Sequence, residues 1–299
     1  MSKKTLSNLI IVVIVVGLVW GVSAVQRSAR ATSLLADLQK PDDYEAYKAM
    51  RKLDGLGPAA LARAVPLLAA QEPYVRARGA ILVGETGDPH YTPAVQKLLT
   101  DQDDAVREAA VTALGHLGAP EAAPPLVGLL QDEAQPLEVR IAAARSLGLL
   151  APPDAAPNLI AFLQAPPHPA EAALREAATA ALGTLQTPAA ADELLSLVQP
   201  TEKDVVVRTL AAEALPQATG TAQPEQVQVV DATLVGLVND LGPDGKKLAP
   251  PEVRVAAAHA LGRMALPTAI ADHVRELLRQ AAVNDDEYWV RQAARQALE

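Results

Sequence analysis

The chain has 299 residues, half of them apolar, with a net charge of −9 and no cysteine. The missing cysteine excludes disulfides, zinc–thiolate centres and cysteine nucleophiles, and the acidic balance argues against nucleic acid, whose phosphates call for the opposite charge. Aromatic residues make up 3%, too few to stack bases along a strand.

In chain order, residues 1–5 form a short tail carrying Lys3 and Lys4. Leu6 to Val25 is uncharged and mostly Ile, Val and Leu, and a helix of about 20 residues spans a bilayer's hydrocarbon core. With Arg27 and Arg30 beyond it, the stretch 6–25 reads as a single-pass transmembrane anchor. The alternative is a cleaved signal peptide, because Val22-Ser23-Ala24 resembles a small-residue cleavage site. The two lysines and the terminal amine favour a cytoplasmic N-terminus, which places the rest of the chain on the extracytoplasmic (periplasmic) side. Gly17 and Gly21, four apart, could bring two such helices together as a dimer. Residues 26–32 read as a linker.

From Ser33 onward a phrase recurs, Val-Arg-x-x-Ala-x-x-x-Leu-Gly with variations. Its copies centre on Arg76, Arg107, Arg140, Arg175, Arg208, Arg254 and Arg291, and a degenerate copy runs from Tyr44 to Gly57. The clearest, Val106 to Gly118, has apolar residues at 106, 109, 110, 113, 114 and 117, a helical period. Asp103 or Asp104 suits its N-cap and Gly118 its left-handed end. A second helix follows each copy, its first turn marked by proline, as at Pro120, Pro93, Pro157 and Pro188. Such units cannot bury their apolar faces alone and must stack. Residues 33–299 are therefore expected to form one all-α solenoid of about eight helix pairs.

The seven arginines are read as structural. Acidic loops precede them: Asp101, Asp103 and Asp104 before Arg107, Asp132 before Arg140, Asp204 before Arg208, Asp285 and Asp286 before Arg291. A guanidinium fork can hold such carboxylates and tie one unit to the next. The alanine pairs, such as 109–110 and 177–178, let helices approach closely.

The phrase Asp-x-Asp-x-x-Val-Arg-x-x-Ala-x-x-x-Leu-Gly-x-x-Gly resembles the short HEAT-like repeats named after phycobilisome lyases, within the armadillo-like α-solenoids. The resemblance covers nearly everything after Ser33. Tetratricopeptide and ankyrin signatures are absent. The resemblance implies that the Val-Arg helices line the concave side, with positions one, five and nine after the arginine facing outward. Protein-binding candidates on that stripe are Glu108, Thr112, His116, Ile141, Arg145, Glu176, Glu213, Val255 and His259; Leu149, Thr184, Gln217 and Arg263 share its register. A second candidate edge is the irregular stretch 219–251, with the basic pair Lys246 and Lys247; Pro166-Pro167-His168-Pro169 is another interruption.

No catalytic constellation is present. None of His90, His116, His168, His259 or His273 precedes a glutamate, whereas deoxyhypusine hydroxylase, an iron enzyme of similar repeats, relies on His-Glu pairs. Phosphate loops, nucleophile elbows and His-Glu-x-x-His helices are missing too. No cofactor, metal or enzymatic activity is expected. The expectation is a membrane-tethered, protein-binding scaffold or adaptor in a bacterium. The alternative is a permanent structural subunit of a larger membrane complex. A second alternative is a phycobilin-lyase-like or metal-dependent enzyme on the same scaffold, for which no residue argues.

Overall fold

The computed structural model describes residues 26–152, 154–165, 168–199, 202, 204–219, 224–239, 247, 249–264 and 268–299. Among them the regular structure is helical, without a strand. Helix α1 covers residues 26–37 and is followed by α2 (Asp43–Asp54), α3 (Pro58–Leu61), α4 (Pro73–Gly84), α5 (Thr92–Gln96) and α6 (Asp104–Leu117). Next come α7 (Ala123–Gln131), α8 (Leu137–Leu150), α9 (Ala155–Gln164), α10 (Ala172–Thr184) and α11 (Pro188–Leu197). The last are α12 (Val205–Ala218), α13 (Pro224–Asn239), α14 (Pro251–Arg263), α15 (Thr268–Asn284) and α16 (Tyr288–Gln296).

Local chemistry explains where these helices begin and end. The side chains of Asp42, Asp103 and Asp204 each accept two amide hydrogen bonds at the starts of α2, α6 and α12, which satisfies free donors of the first turn. At α6 Asp103 is the cap and Asp104 the first helical residue. Prolines open α3, α4, α11 and α14, where no N–H is needed. Gly118 ends α6 with φ 69°, and Ala151 ends α8 at φ 45°, a left-handed conformation that costs a non-glycine residue about 1–2 kcal/mol. Two second helices tighten into 3-10 turns, at Ala62–Ala69 and Lys97–Thr100. Pro66 lies inside the first and removes a helical donor there.

The chain divides into two compact units, one through Ala119 and one from Pro120 to Glu299. Within each, an arginine-bearing helix packs on its own partner and on the next arginine-bearing helix. In the first unit α4 lies on α6; in the second, α8, α10, α12, α14 and α16 follow one another. Each therefore carries the stacked helix pairs of an α-solenoid. The cores repeat the sequence phrase: Leu114, Leu147, Leu182 and Leu215 are wholly buried, as are Ala110, Ala143, Ala178, Ala212 and Ala257. Removing a large apolar side chain from water contributes about 1.5–3 kcal/mol at each such position. Residues 26–32, read above as a linker, belong to α1, which buries Ala31, Leu34 and Leu38.

The expectation of a single-pass membrane protein is corrected. Among the described residues no helix is long and apolar enough to cross a membrane. A span needs about 20 predominantly apolar residues, whereas α8, with 14, carries Glu138, Arg140 and Arg145. The stretch 6–25, with Gly17 and Gly21, lies outside the described residues.

Candidate functional site

The arginines of the repeat tie neighbouring helix pairs together. Arg76 grips Asp101 with two prongs, Nε to Oδ2 at 2.7 Å and Nη2 to Oδ1 at 2.8 Å. Its Nη1 donates to the carbonyls of Ala70 and Gln71. Arg140 reaches Glu171 at 2.6 Å and the Leu130 carbonyl; Arg175 reaches Glu202 at 2.9 Å and the Leu163 carbonyl. Arg254 reaches Asp285 at 2.9 Å, Asp286 at 2.8 Å and the Ala249 carbonyl. In these four the carboxylate belongs to the segment that opens the following repeat. The loop before each arginine was the expected source. Aspartates there are drawn instead to nearby groups of their own loop: Asp204 caps α12, and Asp132 accepts from the Ala134 amide and the Gln135 side chain.

Arg107 keeps closer partners, the Asp101 carbonyl and Asp104. Arg291 donates to the carbonyls of Asp285 and Asp286. Arg208 donates to the Val198 carbonyl, while its buried Nη2 has no hydrogen-bond partner among the described residues. Hydrogen bonding from Arg76 holds the Asp101 carboxyl below its ordinary range. Burial pushes Asp285 up, but Arg254 and the Glu287 amide outweigh it, so this carboxyl too is held low.

The stripe at one, five and nine after the arginine is solvent-facing in both units. Glu108, His116, Arg145 and Glu213 are exposed; Thr112, Ile141, Glu176, Val255 and His259 are half-buried. The positions between them are mostly buried, as a 3.6-residue period requires. In the first unit His116 Nδ1 lies 3.4 Å from Glu85 Oε1. In the second, His259 Nε2 lies 3.2 Å from Gln296 Oε1, and Arg263 donates to the Glu213 carbonyl at 3.1 Å. These residues surround a cavity of about 330 Å³, lined by Glu213, His259, Gly262, Arg263, Gln296 and Ala297. The stripe read from the sequence stops at Arg263, yet Gln296, five after Arg291, continues it in the same register.

Lys246 lies outside the described residues. Lys247 is half-buried, and its Nζ donates to the carbonyls of Val238 and Asn239 at 3.0 and 3.3 Å and stands 3.9 Å from Asp285 Oδ2. Its charge thus completes the C-terminal end of α13. Among the described residues no three His, Asp or Glu side chains converge as a metal site.

Stacked helix pairs clasped by arginine, with a regular outward stripe, define an α-solenoid. The profile of HEAT repeats matches residues 61–138 and 134–216, more than half of the chain, and the protein belongs to the HEAT-repeat family. No curated protein matches it. Among solved structures, the complex of CpcE and CpcF of phycocyanin lyase from Nostoc sp. PCC7120 is 21% identical, with a TM-score of 0.48 over 84% of this chain and 94% of that one. A mutant of Kap121p is 12% identical, with a TM-score of 0.50 over 90% of this chain and 33% of that one. Human deoxyhypusine hydroxylase is 21% identical, with a TM-score of 0.38 over 93% of this chain and 98% of that one. At such identities the likeness is one of fold.

Proposed function

We propose that the protein is a protein-binding scaffold that takes its partner along the outward stripe of the arginine-bearing helices, with no catalytic role. The observation that supports this is the stripe's composition. Glutamate, histidine, threonine, isoleucine and arginine alternate on it at helical spacing, and these side chains are solvent-facing rather than spent on the core. A surface that is neither uniformly charged nor uniformly apolar suits a protein more than a repeating polymer, because specificity arises from placed differences.

The test uses the full chain as bait, beside a variant carrying Arg145→Ala and Glu176→Ala. Arg145 is exposed and Glu176 half-buried, and neither belongs to the buried core, so the melting temperature stays near that of the wild type. Loss of a captured partner at unchanged melting temperature supports the reading; capture identical to wild type counts against it. A stoichiometric partner that resists salt would favour a permanent subunit over an adaptor.

A further inference from the structure

Eight residues after the arginine, most repeats carry glycine: Gly84, Gly115, Gly148, Gly183 and Gly262. Where these meet the next arginine-bearing helix there is little room. A Cβ on Gly183 would lie 2.6 Å from the Ala214 Cβ, and one on Gly262 would lie 2.7 Å from the Ala297 Cα. Helix α12 breaks the column with Pro216, half-buried inside the helix. Between α12, α14 and the end of α16 lies the cavity of about 330 Å³, with Gly262 and Ala297 in its wall.

Its walls are balanced in charge. Glu213 brings a carboxylate that only accepts. Arg263 has one nitrogen fixed on the Glu213 carbonyl, which leaves the rest of its fork for another acceptor. His259 sits against Gln296 Oε1, which orients the amide and leaves its NH₂ to donate. A lone anion entering here meets Glu213, and a lone cation meets Arg263. A group carrying N–H and C=O side by side satisfies both.

We propose that this cavity seats one residue of an extended partner segment, whose N–H and C=O face the same edge, its main-chain N–H donating to Glu213 and its carbonyl accepting from Arg263 and Gln296. This rests on the protein-binding reading above and narrows it to one place and one chemistry.

The probe is the tightest short linear peptide selected from a displayed random library on the full chain. Glu213→Gln and Arg263→Gln should each weaken it about tenfold or more, the worth of a hydrogen bond to a charged group. Methylating one main-chain nitrogen of the peptide should give the same loss, with no further loss when combined with Glu213→Gln. Both side chains are exposed, so the variants keep the fold, and melting curves verify it. Unchanged affinity in both variants overturns the proposal. Where Arg145→Ala and Glu176→Ala weaken the peptide instead, the wider reading stands and this one falls; a library that yields no binder counts against both. Displacement of the peptide by a free amino acid would mark a zwitterion site and likewise overturn the proposal.

Discussion

Asp285 and Asp231 are both buried carboxyls, and their surroundings push them in opposite directions. At Asp285 burial is outweighed by Arg254 and the Glu287 amide, so its folded-state pKa is depressed. Such a group contributes stability above its unfolded value of about 3.9 and loses it as pH falls through the lower folded value. Asp101 follows the same sign through Arg76, so stability should decline progressively below about pH 4. Removing Arg254 leaves a buried carboxylate unpaired, and Arg254→Ala should cost about 3–5 kcal/mol at pH 7 in denaturant titration.

At Asp231 burial pushes the pKa up, with His273 only partly opposing it, and Oδ1 has no hydrogen-bond partner among the described residues. The penalty is absent below the unfolded value, grows as pH rises from there to the folded one, and is complete above it. Asp231→Asn should therefore gain about 1 kcal/mol at pH 7 and nothing at pH 3, read by urea melts at both. The arginine column was plain in the sequence. The identity of its carboxylates was not, because an aspartate before a helix serves the nearest free amides first. Arg78 went unseen altogether: it occupies a variable position of the repeated phrase, and its partners are the carbonyls of Leu38 and Lys40 and the Asp43 carboxylate, far back in the chain.

Between elements, the small residues decide how closely arginine-bearing helices approach. Gly183 and Gly128 both sit inside helices, but only Gly183 touches a neighbour where its Cβ would be; Gly128 has nothing within 4 Å. Gly183→Ala should destabilise by about 1–3 kcal/mol through overpacking. Gly128→Ala should stabilise by about 0.5–1 kcal/mol, since alanine is the better helix former and meets open space. Thermal melts of the two variants, moving in opposite directions, check both. Helix pairing, the alanine columns and the cap at α6 were legible because each is written within a dozen consecutive residues. The 3-10 turn at Lys97–Thr100 was not, since no proline or glycine marks it.

Across the whole molecule, stability in a stack is a sum of repeats and their nearest-neighbour contacts. Arg254→Ala should therefore remove hydrogen-exchange protection from α14, α15 and α16 while α4 and α6, in the other compact unit, keep theirs. Uniform loss along the chain would contradict nearest-neighbour behaviour.

The anion of each of the four intact clasps arrives from the repeat that follows, and this fixes where the protein can be spliced. A segment cut just ahead of these carboxylates carries away a guanidinium without its counter-ion and leaves a carboxylate stranded behind. A segment that starts just after one such carboxylate and stops just after the next takes a matched set with it. Grafts, duplications and excisions in this chain should be tolerated in that offset frame, by whole periods, and rejected in the frame that a drawing of helix pairs would suggest.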